Sequence, residues 1–565
     1  MQEEMYLETL RTLWKQQWPN HLPSEPNYPF GEVPLTTYLQ RWAERQPDHP
    51  VLIYYGREVS FRELDDLSSR FSSCLADLGL TKGDRVAVFL PNCPQFHIAF
   101  YGILKLGCVH VPVNPMFKEL ELIYELSDSG ARVIVTLDQF VPLVQSVVDQ
   151  TPVHTVLVTR FSDFLPQNPT IPVHKTMTDA NVDLTGTVPF METLLLQKAD
   201  YPNMDVGLDD VVAFNYTGGT TGMPKGCEHT QRDMIYTAAT SATYTIESKP
   251  GDISLIYVPI FWIAGENSGL IAPVFTGNTC ILLTRWDAEA VLTAIDLYKV
   301  TNTGGVVDNL VELMEHPRVP EYDLTSLKTV LAMSFIKKMN VSYRRRWQEI
   351  AGAQCVIREG AYGMTETHTM DTFTNGFQEN NMDLLSEPVF CGLPMPGTEF
   401  KIVDFATREL LPLGEKGEIV IRTPSLLKSY WNKPEASQQS LQNGWFYTGD
   451  IGVLDEQGFL HFLGRKKEML KVRGMSVFPS EIETLLGRHP AIEGSAVVGR
   501  PDAEKGEVPV AFIKLCEGAL LSEADLDAWC RQNMATYKVP EIRIISEFPL
   551  TTTGKVKKEE LKKLF

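Results

Sequence analysis

"SFRELDDLSSRFSSCLADLGLTKGDRVAVFLP", Ser60 to Pro91, holds two periodicities in succession. Leu64, Leu67, Phe71, Leu75 and Leu78 recur at steps of three and four, which buries one face of a helix. Ser60 and Glu63 have the spacing of a capping box at its start, and Gly79 ends it. "DRVAVFLP" is then apolar on both alternating sets of positions, as a strand covered on both faces should be. "QFHIAFYGILKLG" (95–107) predicts the next helix and "VHVPV" (109–113) the next strand. Such alternation predicts an α/β sheet that binds its ligand beyond the carboxyl ends of its strands.

At 565 residues the chain is too long for a single core. The texture changes near 380, where "FKIVDF", "GEIVIR" and "GFLHFLG" predict short strands between tight turns. After Gly464 come the charged segment "RKKEMLKVRG", a helix "PSEIETLL" with a capping-box spacing at Ser480 and Glu483, strands "GSAVVG" and "VPVAFIKL", and a helix from Ser522. About 100 residues suffice for a separate unit. The expectation is therefore α/β: a large N-terminal domain (1–464) of α/β subdomains plus a small β-rich subdomain, and a small α+β C-terminal domain (465–565).

With 71 Asp and Glu against 51 Lys and Arg, the net charge of −20 argues against a nucleic-acid partner. A local basic site for an anionic substrate remains compatible with it. Nine scattered cysteines without a C-x-x-C pair give neither a disulfide framework nor a zinc site. No signal-peptide core or membrane-length apolar run is present, so the expected location is cytoplasmic.

The chemistry concentrates in glycine-rich and turn-like segments. "VVAFN" runs into "YTGGTTGMPKG" (216–226), a strand followed by a loop suited to phosphate. It is not a Walker A loop, because no lysine follows the G-x-x-x-x-G-K-[ST] spacing and Pro224 stands where a helix would begin. "AYGMTE" (361–366) offers an aromatic ring and oxygen ligands, "GWFYTGD" (444–450) ends on an aspartate expected to be exposed by a turn, and "PLTTTGKVKK" (549–558) presents a lysine after a Thr/Gly loop. Each is weak alone.

Taken in order, and with "GRKKEMLKVRG", "LKLGCVHVPVNP" and "GEIVIRTPSLLKSYWNKPE", these segments resemble the adenylate-forming superfamily: acyl-CoA synthetases, adenylation domains of peptide synthetases and beetle luciferases. The resemblance runs from "VSFRELDDLSSRF" to Lys555. It implies that a carboxylate attacks the α-phosphate of ATP, pyrophosphate leaves, and a thiol then displaces AMP from the acyl-adenylate. Such a site has to position two anions and neutralise developing charge.

By the same resemblance, Thr217, Gly218, Gly219, Thr220, Thr221, Gly222 and Lys225 clamp the outer phosphates; Gly218 stands where the family usually has serine. Tyr362 stacks on adenine, with Gly363 beside it. Thr365 touches the α-phosphate and Glu366 holds Mg²⁺. Asp450 accepts the ribose hydroxyls and Arg465 adds a ribose or phosphate contact. Lys555 bridges the substrate carboxylate and the α-phosphate, the catalytic role alongside Thr365 and Glu366. Lys467 falls at the hinge about which a mobile small domain turns to bring Lys471 and Gly474 to the thiol cofactor.

Coenzyme A is the expected acceptor, because only ten residues follow Lys555 and no carrier domain fits there. At the acid-pocket segment "PIFWIAGENSG" (259–269), Trp262 replaces the aspartate with which amino-acid-activating members pair an ammonium. Trp262, Gly265, Glu266 and His368 are the candidate acyl-pocket residues. A fatty-acyl or related carboxylate is the first expectation. Glu266, Asn267, Asp308 and Asn309 point instead to a short, branched or hydroxylated acid if they face the pocket, and to helix caps if they do not. "AMSFIKK" (332–338) departs from the family's small-residue loop beside adenine. Members are often dimers, which makes a homodimer compatible with the family. A non-CoA adenylating enzyme, a kinase or ATPase, and a non-catalytic nucleotide-binding protein are the alternatives.

Overall fold

The computed structural model describes every residue except 1, 203, 218–222, 387–388, 473–474, 503–504 and 552–553, with backbone alone at 2 and 476. The opening stretch forms helix Phe61–Asp77 and strand Arg85–Phe89, followed by helix Pro94–Leu106 and strand Val109–Pro112. These strands lie in a seven-stranded sheet ordered Val188–Pro189, Thr155–Thr159, Val133–Leu137, Arg85–Phe89, Val109–Pro112, Val211–Tyr216, Gly226–Thr230. Its pairings are parallel until the last. A second seven-stranded sheet, from Val356–Glu359 to Arg57–Ser60, is likewise parallel except at its closing pair.

Helix Pro94–Leu106 is buried at every position and shares one core with side chains of both sheets. A helix without a polar face has nowhere else to go. It is tied down by Tyr101, whose hydroxyl donates to the Leu270 carbonyl at 2.7 Å. Gly102 lets helix Phe61–Asp77 approach it, since a Cβ there would lie 2.8 Å from the Ser68 carbonyl oxygen.

Residues 372–465 form the β-rich part, an antiparallel sheet ordered Thr372–Phe373, Val389–Pro394, Leu460–Arg465, Trp445–Leu454, Gly417–Arg422, Glu399–Val403. Strands Leu470–Val472, Met475–Val477, Ile492–Asp502, Gly506–Leu515 and Glu541–Ile544 build the last sheet, against which helices Pro479–Leu486 and Glu523–Asn533 pack.

Two capping expectations need correction. Ser60 accepts the Glu63 amide at 3.2 Å, but the Glu63 carboxylate pairs with Arg57 instead of returning to the cap. At 479–486 the helix begins on Pro479, which places Ser480 inside the first turn and not ahead of it. The Ser480 hydroxyl donates to the Leu463 carbonyl. The Glu483 carboxylate accepts the Val497 amide at 2.9 Å and pairs with Lys558 at 2.9 Å.

Candidate active site

Strand Val211–Tyr216 turns back as Gly226–Thr230, so the glycine-rich loop is the tip of a hairpin at the sheet edge. Its ends are pinned: the Thr217 amide donates to the Lys225 carbonyl at 3.0 Å, and the Lys225 amide to Thr217 Oγ1 at 3.2 Å. Gly218, Gly219, Thr220, Thr221 and Gly222 lie outside the described residues. The Lys225 ammonium stands 3.9 Å from the centroid of the Tyr430 ring. The Tyr430 hydroxyl in turn donates to Glu366 Oε1 at 2.8 Å. One tyrosine thus joins the phosphate loop to the Glu366 turn.

That turn is tightly over-determined. Gly363 and Met364 pair with Met370 and Thr369, and a Cβ on Gly363 would fall 1.8 Å from the Thr369 carbonyl oxygen. His229 Nε2 donates to the Thr365 carbonyl at 2.7 Å while Nδ1 lies 3.1 Å from the Asp233 carboxylate. The Leu427 amide donates to the Glu366 carbonyl at 2.8 Å. The chain then passes through left-handed φ at His368 (54°) and Thr369 (101°), costly for a β-branched residue and sustained only by such surroundings.

Tyr362 and Asp450 meet on the adjoining β-rich sheet. The Tyr362 hydroxyl donates to Asp450 Oδ2 at 2.8 Å, with the ring set between Phe400 and Phe462. Asp450 is not exposed by a turn, as its sequence setting suggested. It is buried within the continuous strand Trp445–Leu454, where ladder register places it opposite Arg465. Arg465 Nε approaches Oδ1 to 3.0 Å as an ion pair, but its N–H is not aligned on that oxygen, which keeps no hydrogen-bond donor among the described residues. Burial raises the Asp450 pKa, and Arg465 opposes the rise.

Lys555 sits on a tight turn, its amide donating to Thr551 Oγ1 at 3.0 Å. Much of the side chain is exposed, yet the ammonium lies 5.5 Å from the Phe335 ring centroid, within electrostatic reach of Arg465, Asp450 and Glu468. Loss of water there lowers its pKa, and Arg465 adds to the effect. "AMSFIKK" therefore meets the C-terminal domain: Lys337 pairs with Glu493 at 3.6 Å and Ile336 packs on Gly494. Lys467 occupies the single helical turn Lys466–Glu468 between strands Leu460–Arg465 and Leu470–Val472. The Lys471 amide donates to Glu507 Oε2 at 2.7 Å; Gly474 lies outside the described residues.

In the acid-pocket segment, Gly265 is required by close approach, since a Cβ would lie 1.9 Å from the Pro259 carbonyl oxygen. Trp262 is half-buried. Glu266 and Asn267 are buried and face inward: Asn215 Nδ2 donates to Glu266 Oε2 at 2.7 Å, and Asn267 Nδ2 to the His368 carbonyl at 2.9 Å. His368 Nε2 lies 3.5 Å from Glu266 Oε1. Asp308 is elsewhere, near Lys337, with its pKa raised by burial. Asn309 is half-buried on the same helix. Among the described residues no three His, Cys, Asp or Glu side chains converge as a metal site.

Sequence reasoning missed Tyr430, His229, Asn215 and Phe335. Tyr430 stood inside the quoted "LLKSYWNKPE", but nothing in a linear reading shows which hydroxyl reaches Glu366. Tyr430→Phe keeps the ring beneath Lys225 and removes only the hydroxyl. A hydrogen bond to a charged group is worth at least ~1.5 kcal/mol, so kcat/KM should fall about tenfold in a pyrophosphate-release assay. An unchanged value would dissociate Tyr430 from the function of Glu366.

Two parallel sheets, a β-rich sheet carrying the paired Asp450 and Arg465, and a small domain whose lysine reaches that pair are the architecture of an adenylate-forming enzyme. Residues 39–431 match the AMP-binding enzyme family, and 481–555 match the AMP-binding enzyme C-terminal domain. The long-chain-fatty-acid–CoA ligase of Bacillus subtilis (strain 168) is 33% identical over 557 residues, covering 97% of each chain. 4-Coumarate–CoA ligase 3 of Arabidopsis thaliana is 31% identical, over 96% of this chain and 91% of its own. The crystal structure of the anthranilate CoA ligase AuaEII in complex with anthranoyl-AMP superimposes with a TM-score of 0.82 at 27% identity, over 96% of this chain and 98% of that one. The chain belongs to the AMP-binding enzyme family. It is an AMP-forming acid–thiol ligase of the acyl-CoA synthetase type.

Proposed function

We propose that this protein joins a carboxylic acid to coenzyme A through an acyl-adenylate, converting acid, ATP and CoA to acyl-CoA, AMP and pyrophosphate. The observation that carries the reading is that Tyr362 and Arg465 both meet Asp450, the two charged residues standing on the central strands of the β-rich sheet, with the Lys555 ammonium within electrostatic reach of that pair. Asp450 Oδ1, buried and without a donor, suits a ribose hydroxyl, and the Tyr362 ring suits the base. Lys225 and Thr217 face the outer phosphates from the base of the hairpin loop. Lys555 bridges the acid's carboxylate and the α-phosphate, lessening their repulsion as the new O–P bond forms.

Glu366 fits a hard divalent cation. Tyr430 fixes the carboxylate through Oε1 without neutralising it, and carboxylate plus phosphate oxygens make a shell that Mg²⁺ accepts. Bound there, Mg²⁺ would offset phosphate charge. In the second half-reaction the domain from residue 465 turns about Lys467 and presents Lys471 to the thiol.

A fatty-acyl or related carboxylate is the first reading of the acid, supported by the long-chain ligase relative. Relatives of comparable identity are named for aromatic acids, and the buried Glu266 and His368 favour an acid with a polar group. Release of pyrophosphate and AMP that depends on added carboxylic acid, screened from acetate through long-chain, branched and hydroxylated acids, tests the reading. ADP as the nucleotide product would overturn it.

A further inference from the structure

The polar side chains behind the acid-pocket segment form a group whose hydrogen bonding does not close. Glu266 heads the π-helical segment Glu266–Ile271, a widened turn of a kind often found at functional sites, and its side chain has no solvent exposure. Oε2 is held by Asn215. Oε1 faces His368 Nε2 at 3.5 Å, and neither atom has a hydrogen-bond partner among the described residues. Asn215 Oδ1, Asn267 Oδ1 and both ring nitrogens of His110 are also buried without partners there. Buried polar atoms are ordinarily paired, so several unpaired ones around a single carboxylate are not background.

The mismatch has a sign. Glu266 Oε1 and the two asparagine oxygens are acceptors, so the group is short of donors. It is also short of positive charge. Among the described residues no lysine or arginine forms an ion pair with Glu266. Burial brings the His110 pKa down to about 4, so near neutral pH that ring is uncharged. Burial raises the Glu266 pKa, and the neighbouring His368, His110 and Asn215 side chains outweigh it, keeping it below the ordinary carboxylate value. An ionised carboxylate held in the interior without a cation is expensive.

The group is continuous with the reacting centre but set back from it. Asn215 precedes Thr217 of the phosphate hairpin by two residues, and His368 follows Glu366 by two. Glu266 itself belongs to the segment holding Trp262 and Gly265. Resting on the ligase reading above, we propose that Glu266, with Asn215, Asn267, His110 and His368, is a subsite for a cationic, hydrogen-bond-donating nitrogen that the acid substrate carries remote from its carboxyl group. The substrate class is thus an amine-bearing carboxylic acid other than an α-amino acid. An ammonium nitrogen about 2.8 Å from both Oε1 and Nε2 closes a triangle on their separation of 3.5 Å. Nε2 accepts in the tautomer whose Nδ1 proton is directed at Thr237 Oγ1, 3.3 Å away; Asn267 Nδ2 lies at the same distance from Nδ1.

The test is AMP formation from acids matched in length that end in ammonium, hydroxyl or methyl: γ-aminobutyrate, γ-hydroxybutyrate and pentanoate, then ε-aminocaproate, ε-hydroxycaproate and heptanoate. At the better-fitting length, kcat/KM for the amino acid should exceed that of the methyl acid by about tenfold or more, since unpaired polar groups in a site penalise an apolar replacement. Glu266→Gln should abolish that preference, bringing the ratio of kcat/KM for the amino acid to that for the methyl acid down to about one or below. Preference for methyl or hydroxyl at both lengths overturns the proposal, as does an equal loss on all three acids in the variant. If Glu266→Gln does not fold, the wild-type ranking decides alone. AMP from methyl acids with none from amines sinks this inference and leaves the ligase reading standing. AMP from no acid at all removes both.

Discussion

Lys555→Ala is expected to reduce acyl-adenylate formation about 10²–10³-fold, the cost of removing one preorganised group from developing charge. A supplied acyl-adenylate should still be converted to the thioester at close to the wild-type rate, because the proposed mechanism uses Lys555 only in the first half-reaction. Single-turnover measurement of each half-reaction separates the two. Full ATP-dependent activity in the variant would remove Lys555 from the chemistry. A pH dependence follows from the same environment. Lost hydration and the neighbouring Arg465 lower the lysine's pKa, so its charge is present below that pKa and disappears as pH rises through it. Adenylation should therefore decline on the alkaline side earlier than an ordinary lysine would dictate. Lys555→Arg, which does not titrate there, should lack that limb whatever activity it retains.

Lys467→Pro should have the opposite selectivity. Proline fixes φ near −65° and restricts the residue before it, so the backbone position proposed as the hinge between half-reactions becomes locked. The turn Lys466–Glu468 and Met469 make up the connection between the strand carrying Arg465 and the strand carrying Lys471. Adenylate formation should stay within about twofold of wild type, while thioester formation falls by about 10²-fold or more, the scale on which misplacing reacting groups is felt. Equal loss in both steps would show that Lys467 is no hinge.

Much of the frame was legible because hydrophobic period is a local property. The 3.6-residue pattern at 61–77 and the doubly apolar run at 85–89 need no distant partner to be read, and both elements form as expected. Caps were less secure. Ser480 and Glu483 have the right spacing, but Pro479 starts the helix earlier and burial gives Glu483 a tertiary partner in Lys558. Asp450 failed for a related reason: "TGD" reads as a turn, whereas strand Trp445–Leu454 carries on past an irregularity in the ladder around Gly449 and buries the aspartate opposite Arg465. The glycine-rich loop, the Tyr362 to Glu366 run and Lys555 were recognisable only in their order along the chain.

Sequence alone determined which residue types this protein has for gripping a nucleotide, where they lie along the chain, and that helices alternate with strands in an α/β frame. Tertiary structure decided how they meet. Tyr430 joins Lys225 to Glu366, and His229 holds Thr365 by its carbonyl. Glu266 is turned inward beside His368 and Asn215, where no lysine or arginine among the described residues pairs with it. Hydrogen bonds and burial depend on distances across the fold, and residues far apart along the chain leave no periodic trace of them.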